Sequence, residues 1–219
     1  MTLLRSLTSL IAFGLLTSSA HASDPVSSLS VDASGALPAG LSLKQIHPKL
    51  DEKANNAVLR VMSWTGVSGE RVAVFLTSSK KGQKHDTVHE SRTLYVTTFA
   101  KKGLAFEKVE DIMEYVAPCA LDLIATFFDK SIGLTDLDGD GEGELTFAYS
   151  VGCGGDVSPT TMKLIMLEGK TKYALRGVTR VDPGTGTRMG GDYKADFKKA
   201  PESFLAHAKK VWEANADTN

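Results

Sequence analysis

The stretch "DLDGDGEGE" at 136–144 sets five carboxylates at alternating positions with a glycine run between them. Like charges this close repel unless a cation neutralises them. Alternate spacing lets Asp136, Asp138 and Asp140 converge on one ion. Gly141, at the sixth position, permits a sharp turn; Glu142, at the seventh, offers its backbone carbonyl; Glu144, at the ninth, closes the set. Hard oxygen donors of this kind suit Ca²⁺ better than zinc or copper. The expected cofactor is therefore Ca²⁺, with Asp136, Asp138, Asp140, Glu142 and Glu144 as its ligands. The competing reading is an acidic, glycine-rich turn with no ion; against it, no Lys or Arg lies between Asp136 and Glu144 to balance the charge. A catalytic metal needs an open coordination position and a nearby base or nucleophile. The loop holds no His, Cys, Ser or Lys. The expected role of the ion is structural, as a clamp between two strands.

The loop departs from an EF-hand at its twelfth position. Phe147 stands there, where an EF-hand requires a bidentate Glu, and the flanks "SIGLT" and "ELTFAYSV" read as strands. The stretch is similar to the strand–loop–strand calcium loops of FG-GAP and integrin propeller blades. Asp136, Asp138, Asp140 and Glu144 match the side-chain ligand positions of that class, with Glu where it often has Asp.

Other chemical-looking groups carry less. His85 and His89 are four apart, and zinc needs at least one more ligand, which Asp86, Glu90 or the distant His207 could supply though nothing local indicates it; two solvated histidines in a polar loop is the plainer reading. "GTGTRMGGD" fits neither dinucleotide nor phosphate-loop spacing and reads as a flexible loop. Ser158 lacks a G-x-S-x-G elbow; with Asp156 it reads as a turn former before Pro159. Glu107, Glu110, Asp111 and Glu114 include candidates for a hydrolytic carboxylate pair, a mechanism that depends on a separation sequence does not give. No catalytic residue is assigned.

The elements that must hold the loop are mainly β. "AVLRVMSWTG", "RVAVFLTSS" and "RTLYVTTFA" are rich in β-branched and aromatic residues, and "LAFEKVEDI" returns as a further strand. "TTMKLIML", a turn at "EGKT" and "KYALRGVTRV" form a hairpin signal. "LDEKANN" suggests a short helical turn, and "KKGQKHDTVHE" a long exposed connection. Residues 109–128 fit helix and strand equally, since periodicity does not arbitrate so short a run. At the end, Phe204, Leu205, Ala208, Val211 and Trp212 follow helical spacing after Pro201. The fold class is mainly β (α+β): an antiparallel sheet or sandwich with a C-terminal helix. Residues 1–22 read as a signal peptide, 23–40 as a flexible lead-in, and 41–219 as a single β-rich domain carrying the calcium loop.

The signal reading rests on Arg5, an apolar stretch too short to span a bilayer comfortably, and the small residues ending Ala20-His21-Ala22. It implies a periplasmic or secreted protein with no transmembrane segment after cleavage; the competing reading is an uncleaved N-terminal anchor. In such a compartment two cysteines, Cys119 and Cys153, most simply form one disulfide, which would enclose the acidic loop. The 25 Lys and Arg face 26 Asp and Glu, without a dense basic run, which argues against nucleic acid as a partner.

Three adjoining stretches, "TDLDGDGEGELTFAY", "CGGDVSPTTMKLIMLEG" and "KYALRG", together resemble a family of small exported bacterial proteins loosely described as surface polysaccharide biosynthesis proteins. The resemblance covers roughly residues 119–181. It implies a link to the cell envelope and assigns no reaction. The expected function is an exported, non-catalytic calcium-binding envelope protein that engages a glycan or an envelope protein. The alternatives are an enzyme acting on surface polysaccharide and a secreted inhibitor of an enzyme, using a loop such as 80–90. A glycan binder calls for an exposed aromatic platform, for which Trp64, Tyr95 and Tyr193 are the candidates.

Overall fold

A computed structural model describes residues 27–50 and 55–218. The expected signal peptide lies outside the described residues. The chain runs through β1 (Ser27–Asp32), α1 (Leu43–Ile46), β2 (Asn55–Gly66), β3 (Gly69–Lys84), β4 (Thr87–Lys102), β5 (Ala105–Cys119) and β6 (Asp122–Phe127). A 3₁₀ turn (Asp129–Ser131) leads to β7 (Gly133–Thr135), β8 (Glu144–Gly154), β9 (Thr161–Glu168), β10 (Thr171–Val178), β11 (Arg180–Val181), β12 (Met189–Gly190), β13 (Tyr193–Asp196) and α2 (Glu202–Asn215).

Two large antiparallel sheets result, with β11 and β12 forming a separate two-stranded pair. The first is a meander in the order β1-β2-β3-β4-β5; the second runs β13-β10-β9-β8-β6, with β7 also on β8. Period-two alternation makes this a sandwich. Phe75, Leu94, Val96 and Ile112 of the first sheet meet Phe127, Phe147, Tyr149 and Ile165 of the second in one core. Phe75 packs edge-on against both Phe127 and Phe147, with ring centroids 5.4 Å apart in each case. The outward-facing positions are covered too. Phe204, Ala208 and Trp212 of α2 seal the second sheet over Leu164, Met166 and Leu175. Leu41, Ile46 and Leu50 cover Val72, Val74 and Leu76 of the first. The expected mainly-β class, with its C-terminal helix, is what the chain forms.

β6 and β7 lie along the same edge of β8. β6 pairs Phe127 with Tyr149, and β7 pairs Thr135 with Glu144. Between them Ser131 fills the break: its Oγ accepts from Ala148 N at 2.7 Å and donates to Phe128 O at 2.6 Å. A buried backbone N–H that the strand gap would have orphaned is thereby satisfied.

Four local expectations change. Residues 109–128 are strand on both sides of a bend, because β5 pairs with β4 and β6 with β8. The lead-in contains β1, whose Ser30, Val31 and Asp32 pair with Ser63, Met62 and Val61. Its alternating Ser-Leu-Ser-Val is period two, but Leu29 and Val31 stay about half exposed; backbone pairing, not apolar burial, holds it. The short helix is α1 rather than "LDEKANN", of which 51–54 lie outside the described residues and Asn55 opens β2. Gln45 there accepts from Ser42 N at 2.9 Å, half of an S-x-x-Q capping box. "KKGQKHDTVHE" is no loop. β3 and β4 stay in register to Lys84↔Thr87, and His85 and Asp86 turn the chain with positive φ, as a two-residue hairpin requires.

Candidate metal centre

β7 and β8 form a short hairpin in which Thr135 faces Glu144. The acidic loop closes it. Its carboxylates first organise the backbone: Asp136 Oδ1 accepts from Gly139 N at 2.9 Å and its Oδ2 from Gly141 N at 3.1 Å. Asp140 Oδ1 accepts from Glu142 N at 2.8 Å. Gly141 has φ +83°, and an added Cβ would lie 2.6 Å from Val67 Cγ1, so both conformation and space demand glycine.

The result is convergence. Asp136, Asp138, Asp140 and Glu144 each bring one carboxylate oxygen within 4.8 Å of the others. Two oxygens bound to one calcium at about 2.3–2.6 Å can lie no more than about 5 Å apart, so this spread fits a single ion. Asp138 and Asp140 are exposed, Asp136 is half-buried, and Glu144 is fully buried.

Glu144 is the telling member. Its Oε2 accepts from Leu137 N at 2.9 Å and from Thr135 Oγ1 at 3.0 Å. Its Oε1 is buried with no hydrogen-bond partner. A buried, half-satisfied carboxylate costs several kcal/mol unless a cation or proton compensates it. Burial, aided by the charges of Asp138 and Asp136, pushes its carboxyl up to about 7, against the two hydrogen bonds that favour ionisation. Directly across the β8–β9 ladder stands Glu168, also raised, by burial first and then by Asp138, Asp140 and Glu142. Like charges opposed across a ladder destabilise a sheet. The donor set is all oxygen and over-charged, which suits a divalent cation.

A pH prediction follows for protein stripped of divalent ions. The folded state keeps Glu144 protonated up to about pH 7, while the unfolded chain releases that proton near 4.5. Between those values the unfolded state binds fewer protons, so stability falls as pH rises and levels off above about 7. The expected loss is up to about 3 kcal/mol. Urea denaturation at pH 5 and pH 8 measures it; stability equal at the two, or higher at pH 8, contradicts it.

The side chain of Glu142 turns elsewhere. Its Oε1 accepts from Ser68 N at 2.6 Å, and Gly141 O accepts from Val67 N at 3.0 Å. Both donors lie in the turn between β2 and β3. The loop thus fastens the second sheet to the first. At the far end of β8, Cys153 is bonded to Cys119 at the end of β5, with Cα atoms 5.8 Å apart, so the disulfide also joins the two sheets. A structural disulfide belongs to an oxidising environment. No described helix is long and apolar enough to cross a membrane.

The remaining candidates separate. Among the described residues, His85 and His89 join no group of three metal-ligating side chains. Glu107 is tied to Lys102 at 2.8 Å. Glu114 accepts from Lys163 Nζ at 2.7 Å and from Tyr149 OH at 3.0 Å, an ion pair spanning the sheets. Ser158 Oγ donates to Asp156 Oδ2 at 3.0 Å, as a turn former does. The glycine-rich stretch runs against α2, where Gly191 O accepts from Trp212 Nε1 at 2.9 Å. Of the three proposed platform aromatics, Trp64 is buried beside Gly143 and Tyr193 packs on Trp212. Tyr95 lies against His47 on the outer face of the first sheet. Comparison with family models, curated proteins and solved structures finds no match.

Proposed function

We propose that this chain is a non-catalytic calcium-binding module of the cell envelope or the extracellular space, with Asp136, Asp138, Asp140 and Glu144 as side-chain ligands. The observation that carries the reading is Glu144 Oε1, buried and unpartnered beside three converging aspartates. Calcium is the ion of choice because every donor is a hard oxygen and the loop is built from flexible backbone. Calcium outside the cytoplasm fills even weak sites, with Kd up to about 10⁻³ M, which agrees with the disulfide and with the signal-like first residues. The loop contains no His, Cys, Ser or Lys and its four converging carboxylates face the ion, so the ion holds two strands and, through Val67 and Ser68, two sheets. A link to surface polysaccharide, through a glycan or an envelope protein, is part of this proposal and is supported by the resemblance over residues 119–181.

Calorimetry with Ca²⁺ on metal-stripped protein tests it. One site is expected, with magnesium much weaker because it demands a tighter octahedron. Absence of binding at about 10 mM Ca²⁺, or binding unchanged in Asp138→Ala/Asp140→Ala, would overturn the assignment.

A further inference from the structure

Leu41, Ile46 and Leu50 cover part of the outer face of the first sheet. Beside that cover the strands continue outward with their side chains still alternating. Ser78, Thr93 and Tyr115 stand in one cross-strand row, because Ser78 pairs with Thr93 and Thr93 with Tyr115. Tyr95 and Met113 form the next row toward the cover, and Lys80 faces Ser91 in the row beyond. His47 to Leu50 make a wall on one side. The space so enclosed is a groove of about 360 Å³, within the size range of small-ligand pockets.

Its chemistry is mixed in a specific way. Tyr115 and Met113 on the edge strand are 55 % and 51 % exposed, two large apolar surfaces left without a neighbour. Ser78, Ser91 and Thr93 supply hydroxyls along the floor. Lys49 and Lys80 supply two ammonium groups, and among the described residues neither is held in an ion pair and no Asp or Glu lines the groove. On the same sheet Lys101 is paired with Glu70 and Lys102 with Glu107; Lys49 and Lys80 instead face the groove together.

We infer that this groove binds an acidic saccharide. A pyranose ring offers an apolar C–H face to Tyr115, hydroxyls to the Ser and Thr row, and a carboxylate to Lys49 and Lys80 through charge-assisted hydrogen bonds. A neutral sugar leaves both cations unanswered. An acidic peptide answers the cations but has no use for the hydroxyl row beneath an aromatic wall. The inference deepens the reading of the chain as a binding module; it does not depend on the metal, which lies at the other sheet's β7–β8 hairpin.

The experiment is calorimetric titration of the calcium-saturated chain with trigalacturonate, and with maltotriose as a neutral trimer of similar linkage. Trigalacturonate is expected to bind at least tenfold more tightly. Lys49→Ala/Lys80→Ala and Tyr115→Ala are each expected to weaken it at least tenfold. All three residues are exposed or at the groove rim, and an unchanged calcium affinity shows that the variants are folded. No binding at about 10 mM trigalacturonate, equal binding of maltotriose, equal binding of a poly-glutamate peptide, or indifference to the variants would each overturn the inference. Calcium binding measured on the same sample separates the outcomes: calcium without saccharide removes only the groove, and no calcium removes the metal centre.

Discussion

Glu144→Gln is expected to raise the melting temperature of the metal-free protein at pH 8 and to remove most of the further rise that calcium gives the wild type. Both effects come from one atom. In the absence of metal, Oε1 is a buried carboxylate oxygen without a partner, beside Asp136, Asp138 and, across the ladder, Glu168. The amide removes the charge and keeps an oxygen to accept from Leu137 N and Thr135 Oγ1. The expected gain is about 1–3 kcal/mol, or roughly 2–10 °C for a chain of this length. With calcium present the same change removes a charged ligand. Wild type gains about 2.7 kcal/mol at a hundredfold excess over Kd, and the variant loses most of that. Thermal melts in chelator and in about 5 mM Ca²⁺ measure both. If the variant is less stable than wild type in both conditions, Glu144 serves as an ordinary buried polar residue and not as a ligand.

The second large effect belongs to the disulfide. Cys119→Ala/Cys153→Ala opens a loop with a sequence separation of 34, for which chain entropy gives a loss of about 3–4 kcal/mol. The loop contains β6, β7, the acidic turn and most of β8, so the unfolded chain gains freedom in the very segment that must organise the metal. The variant is also expected to bind calcium more weakly, by about tenfold or less. Denaturation in urea with and without calcium gives both numbers. A loss below about 1 kcal/mol would mean that the core between the sheets holds this corner without the bond.

What was legible in the sequence was local. The acidic spacing named the four converging carboxylates because ligand geometry lies within nine residues. The β9–β10 hairpin and α2 announced themselves by period, and the cysteine pair by its compartment. What escaped depended on distant partners. Glu142 reaches Ser68, 74 positions away, and nothing near either residue signals it. Glu168 joins the acidic cluster only through the β8–β9 register. β1 hid because an edge strand with exposed Leu29 and Val31 lacks the buried face that strand signals detect. The polar stretch 80–90 looked like a loop because both strands are exposed there; cross-strand pairing replaces the missing core. Tyr115, absent from the sequence list of platform aromatics, mattered once β5 brought it into a row with Thr93.

β8 runs from Glu144 to Gly154, and its two ends are tied to the first sheet by different means. A joint pinned at one point still pivots; pinned at two points, here roughly 30 Å apart along an extended strand, it becomes a braced frame. One pin is covalent, the bond between Cys119 and Cys153; the other is the acidic turn, whose Gly141 O and Glu142 Oε1 grip Val67 and Ser68. Between the two pins the packed rings of Phe75, Phe127 and Phe147 fill the frame, so sliding one sheet over the other has to break a covalent bond at one end or unseat a hydrogen-bonded turn at the other.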